Sequence, residues 1–91
     1  MSKSKLDMKN VTEAIALYNR FRSPEATARL LSFDGRELRL EFEGPFCATC
    51  GFYDYLEDFI FELKRLVDID IRIKSVEEKA FQTFVVRYAV E

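Results

Sequence analysis

The segment ELRLEFEGPFCATCGFYDYLEDFIFELKRLV, residues 37 to 67, changes its hydrophobic period once, and that change decides the fold. Leu38, Leu40 and Phe42 alternate with Glu37, Arg39, Glu41 and Glu43, the two-residue period of a strand with one buried face. Beyond residues 44 to 51, Phe52, Leu56, Phe59, Ile60, Leu63 and Val67 recur at three- and four-residue spacing and define the inner stripe of a helix. Asp54, Glu57 and Asp58 stand early in that helix and Lys64 and Arg65 late, as the helix dipole favours.

Working outward, Ala26 to Ser32 supplies the partner strand of a hairpin. A two-residue Asp34-Gly35 turn sets Thr27, Arg29 and Leu31 opposite the apolar positions, whereas a three-residue Phe33-Asp34-Gly35 loop sets Ala26, Ala28 and Leu30 there. The second is favoured, with Gly35 in the left-handed conformation. Upstream, Val11, Ala14, Ile15, Tyr18 and Phe21 form the stripe of a shorter helix. Asn10-Val11-Thr12-Glu13 reads as its capping box and Ser23-Pro24 as its end, leaving residues 1 to 9 as a flexible arm. Downstream, Ile69, Ile71 and Ile73 alternate with Asp70, Arg72 and Lys74, and Phe84, Val86, Tyr88 and Val90 alternate with Val85, Arg87 and Ala89. Joined through Glu77-Glu78-Lys79, these make a second hairpin.

The predicted order is helix, strand, strand, helix, strand, strand, two copies of one unit. It corresponds to an α+β two-layer sandwich in a single domain spanning 1 to 91, with the antiparallel hairpins in one four-stranded sheet and both helices on one face. Leu31, Phe33, Val85 and Ala89 are expected on or near the far face, beside charged residues, where a homodimer would form sheet to sheet.

With 91 residues, 48% hydrophobic and 33% charged, and only three glycines and two prolines, the chain suits one compact core and not a disordered segment. No uncharged stretch approaches the roughly 20 apolar residues of a membrane-spanning helix. The polar start MSKSKLDMKN lacks the apolar core of a secretory signal, so the expected location is the cytoplasm. Residues 1 to 30 carry six Lys/Arg against three Asp/Glu, and residues 31 to 91 carry eight against thirteen. A phosphate-binding face has only the N-terminal arm with Arg20, Arg22 and Arg29 to draw on, which weighs against nucleic acid as a partner.

Cys47 and Cys50 have the CxxC spacing of thiol oxidoreductases and precede a helix whose amides would stabilise a thiolate. No proline follows Pro45 to supply the loop that thioredoxin-like enzymes place beside the disulfide. The same spacing chelates zinc, but with no histidine and no further cysteine one chain supplies half of a four-ligand site. Zinc shared by two chains, zinc completed by carboxylates, a structural disulfide and plain packing of small apolar side chains all remain open. Phe46, Phe52, Tyr53, Tyr55, Phe59 and Phe61 crowd the same region; Phe52 and Phe59 belong to the inner stripe, while Tyr53 and Phe61 lie off it.

LRLEFEGPFCATCGFYDYLEDFIFEL, followed by DIRIKSVEEKAFQTFVVRYAV, resembles the C-terminal core of 4-vinyl reductase-type domains. The shared features are a strand ending near a small residue and a cysteine, a helix with an aromatic-rich start, and a closing hairpin. That fold group includes subunits of vesicle-tethering particles and the aromatic-sensing regions of some bacterial activators, so the resemblance implies small-molecule sensing or scaffolding. In its zinc-containing sensors a cysteine at the strand-to-helix junction is joined by ligands from the final hairpin. Here Cys47 or Cys50 would match the first, and Glu77 and Glu78 fall near the place of the others.

The expectation carried forward is a non-enzymatic binding or interaction module, a homodimer with a small apolar ligand or a protein partner. Its surface centres on Phe46, Phe52, Tyr53, Tyr55 and Phe61. A thiol-disulfide or zinc-linked module using Cys47 and Cys50 is the alternative, and nucleic-acid binding through the basic arm a third.

Overall fold

In a computed structural model, which describes residues 6–45 and 51–90, six elements follow the predicted order. They are α1 (Met8–Arg22), β1 (Thr27–Phe33), β2 (Glu37–Glu43), α2 (Phe52–Leu66), β3 (Ile71–Ala80) and β4 (Thr83–Val90). The strands form one antiparallel sheet in the order β1-β2-β4-β3, an α+β architecture in which the second strand of each hairpin lies at the centre. The two halves match in outline. Both helices have 15 residues, the connections 23–26 and 67–70 are equal in length, and the same number of positions separates Met8 from Phe52 as Thr27 from Ile71.

The central pairing sets Leu38 opposite Tyr88, Leu40 opposite Val86 and Phe42 opposite Phe84. Because side chains alternate along a strand, these share one face, and Glu37, Arg39, Glu41 and Glu43 take the other. Val11, Ala14 and Tyr18 of α1 and Leu56, Phe59 and Leu63 of α2 close over the apolar face, so both helices cover the same side. Three edge-to-face or tilted ring contacts run through this core: Tyr18 to Phe42 at 5.4 Å, Tyr18 to Phe59 at 6.4 Å, and Phe59 to Tyr88 at 5.5 Å. Asn19 of α1 reaches the outer edge of β1, accepting from the Ala28 amide at 2.7 Å and donating to its carbonyl at 2.9 Å. That side-chain amide takes the place of a neighbouring strand and blunts the sheet edge.

Several local features differ from the sequence expectations. The first helix starts at Met8, because the Asp7 carboxylate accepts from the Asn10 amide at 2.9 Å and caps it one turn before the Asn10-Glu13 box. Leu6, assigned to the arm, is buried in the core. In the first hairpin Ala28 and Leu30 face inward as favoured, but Leu30 pairs with Leu40, and a bulge at Leu31 lets Phe33 pair with Leu38. Phe33 therefore packs on the core and not on the far face, while Leu31 stays exposed. The Asp34 carboxylate closes this turn by accepting from the Arg36 and Glu37 amides at 2.9 and 2.8 Å, so the three-residue loop is Asp34-Gly35-Arg36, one position later than expected, and Gly35 adopts the expected positive φ of 97°.

The strands of the second hairpin are longer than expected. Glu77, Glu78 and Lys79 are strand residues, and the turn is Phe81-Gln82, with Ala80 opposite Thr83 and Gln82 at φ 56°. Glu77 and Glu78 find partners in Val85 and Phe84 across the ladder, so backbone pairing outweighs their low strand preference. Val85 and Ala89 lie on the outer face, opposite Glu41 and Glu37.

Gly44 ends β2 where the chain passes close to the segment that follows α1. Its φ is 143°, and a Cβ placed on it would sit 2.2 Å from the Glu25 carbonyl oxygen. Its amide donates to the Gln82 carbonyl at 3.0 Å, tying the end of β2 to the β3–β4 turn. Gly44→Ala is expected to destabilise the protein by about 2 kcal/mol or more, against about 1 kcal/mol for Gly35→Ala, where nothing lies near the added methyl. Urea denaturation of the two variants beside the parent checks the ranking.

Candidate interaction surface

The placement of α2 is set from behind by polar groups as well as by its apolar stripe. The Tyr18 hydroxyl donates to the Tyr55 carbonyl at 2.9 Å, and the Tyr88 hydroxyl donates to the Leu56 carbonyl at 2.7 Å. Burial pushes both phenol pKa values up, so both stay protonated donors at any physiological pH. The Arg22 guanidinium lies over the Tyr18 ring at 4.8 Å and donates to Asp58 at 3.1 Å and to Glu62 at 3.2 Å. Burial works against the Arg22 charge, but the hydrogen bonds to the two carboxylates outweigh it and hold its pKa above the ordinary value.

Glu62 is 5% exposed, and its Oε1 has no hydrogen-bond partner among the described residues. Sequence reasoning missed this helix-to-helix clamp. A signal for it existed, because Glu62 falls between Phe59 and Leu63 on the side of α2 that the stripe buries.

With that side occupied, the exposed residues of α2 are Tyr53, Asp54, Glu57, Phe61, Lys64 and Arg65. Tyr53 is 57% exposed and Phe61 62%, so both rings lie off the core as their spacing implied. Phe52 is half-buried and packs edge-on against Phe84 at 5.0 Å and Tyr53 at 5.3 Å. Tyr55 is half-buried too, and its phenol is pushed above the ordinary pKa by loss of solvent and by a hydrogen bond with Glu25. The proposed aromatic surface thus divides: Phe52 and Tyr55 pack toward the body, and Tyr53 and Phe61 face outward. Phe46, Cys47 and Cys50 lie outside the described residues. Among the described residues, no group of three or more acidic or cysteine side chains is arranged to hold a metal ion.

The outer face of the sheet has a different character. Glu37 accepts from Arg87 at 2.7 and 3.2 Å and from Lys74 at 3.4 Å, and lies 3.6 Å from Arg39. Arg29 pairs with Glu41 on the same face. These ion pairs link all four strands.

Compared with known proteins, the chain matches no family model and no curated protein. Among the described residues, no helix is long and apolar enough to cross a membrane.

The hydrogen bond from Arg87, and after it that from Lys74, brings the Glu37 pKa from the ordinary 4.5 down to about 2. Folding lowers this pKa, so the unfolded chain takes up the proton first. Glu37 therefore contributes stability above pH 4.5 and loses that contribution as the pH falls toward 2. The stability gap between the parent and Glu37→Gln is expected to be constant near neutrality and to close between about pH 4.5 and 2, as read by urea denaturation across that range.

Proposed function

We propose that the protein is a non-catalytic interaction module that engages a macromolecular partner through the outer face of α2. The observation that carries this reading is the exposure of Tyr53 and Phe61, 57% and 62%, on a helix held firmly from behind. Burying a large aromatic side chain on association is worth about 1.5–3 kcal/mol, and a rigid mount spares the ordering cost that a mobile loop would incur. Two such rings on one face fit the composition of binding hot spots.

The alternatives find less support. A sheet-to-sheet interface would have to desolvate Glu37 together with the three cations it pairs with, Arg87, Lys74 and Arg39. The resemblance to 4-vinyl reductase-type domains suggests a small apolar ligand, yet the inward rings of Tyr18, Phe42, Phe59 and Tyr88 pack on one another while Tyr53 and Phe61 face outward. Asp54 and Glu57 balance Lys64 and Arg65 on this face, so it has no net positive charge to offer a phosphate backbone.

A photoreactive phenylalanine analogue placed at position 61 tests the proposal, with the same analogue at position 39 on the sheet face as the control. Irradiation of cells making each variant is expected to give an adduct of defined mass at position 61 and none at position 39. Phe61→Ala and Tyr53→Ala are expected to leave stability within about 0.5 kcal/mol, since neither ring is part of the core. Absence of an adduct at position 61, or equal labelling at both positions, contradicts the proposal.

A further inference from the structure

We propose that the partner of this face is a second copy of the same chain, docked with the two α2 helices antiparallel; the inference rests on the reading of α2 as an interaction surface. At 100° per residue, Tyr53, Asp54, Glu57, Phe61, Lys64 and Arg65 fall within an arc of about 120°, so they form one continuous face. The acids lie in its N-terminal half and the bases in its C-terminal half. Asp54 and Lys64 are about 15 Å apart along the axis, and among the described residues none of the four charged side chains forms an ion pair.

A two-fold axis crossing α2 between Glu57 and Phe61 makes this face complementary to itself. Asp54 then meets Lys64 of the second copy, twice by symmetry. Tyr53 faces Lys64 of the second copy on one flank, a ring-to-ammonium contact, Arg65 of the second copy also lies beside Asp54 on the other, and each Phe61 ring covers the aliphatic part of the opposite Glu57. The other helix does not offer this arrangement. It has no acid in its first turn and carries Arg20 and Arg22 in its last, with Lys9 exposed near its start, so an antiparallel α1 pair would bring Lys9 against Arg20. The six-residue face is small for an interface, so the association is weak, and because its ion pairs are at the surface it weakens as salt rises.

The test is sedimentation equilibrium of the full chain at low ionic strength, with two charge variants measured separately and mixed. Asp54→Lys sets Lys against Lys in a homodimer, and Lys64→Asp sets Asp against Asp. Each alone is expected to weaken dimerisation by at least about tenfold. An equimolar mixture restores opposite charges at both contacts and is expected to recover association near that of the parent, a recovery that a folding defect would not show. A parent chain that stays monomeric at several hundred micromolar overturns the inference, as does a parent dimer that neither variant weakens or a mixture no stronger than its components. The photo-adduct at position 61 keeps the two claims apart, because an adduct to a different protein upholds the surface and sinks the second copy as its occupant.

Discussion

Two buried tyrosine hydroxyls, one from the first helix and one from the last strand, donate to consecutive carbonyls of α2. Apolar packing alone lets a helix roll or slide by a fraction of a turn at modest cost, since many arrangements bury similar area. Hydrogen bonds from Tyr18 to Tyr55 and from Tyr88 to Leu56 are less tolerant, because each hydroxyl has no solvent to fall back on if the helix moves. Arg22, bridging Asp58 and Glu62, adds a third constraint from α1. The rotation of α2 is thereby fixed, and with it the set of residues left in water.

The distribution of charge over the molecule follows from the same geometry. Alternation in β2 and β4 sends Glu37, Arg39, Glu41 and Arg87 to one face, where they pair across strands and need no partner from outside. On α2 the acids gather early and the bases late, for reasons of the helix dipole, and the aromatic rings of Tyr53 and Phe61 stand among them. The sheet face pairs its charges within the chain, whereas the Tyr53 and Phe61 rings of the helix face stand in solvent.

Much of the architecture was legible in the sequence because period and burial agree. Leu38, Leu40 and Phe42 alternate and are fully buried, and the stripe of α2 predicted Leu56, Phe59 and Leu63 as core. What escaped was set by single polar groups. Asp7 outcompeted Asn10 as the helix cap, Asp34 fixed the three-residue loop one position later than expected, and the bulge at Leu31 turned Phe33 inward. None of these changes the hydrophobic period enough to be read from it. The candidate surface was half legible: Tyr53 and Phe61 were off the stripe and proved exposed, but Phe52 and Tyr55 pack toward the body. The Arg22–Glu62 clamp pairs residues forty positions apart, a separation that periodicity within one element does not reach.

The most direct measurement is residue-resolved amide hydrogen exchange of the parent and of Tyr18→Phe/Tyr88→Phe. If the two hydroxyls hold α2, amides of that helix, beginning with Phe59 and Ile60, exchange faster in the double variant by on the order of tenfold, while those of α1 and β1 keep their rates. A uniform change across all elements, or no change in α2, would contradict the account and leave the helix positioned by apolar packing alone.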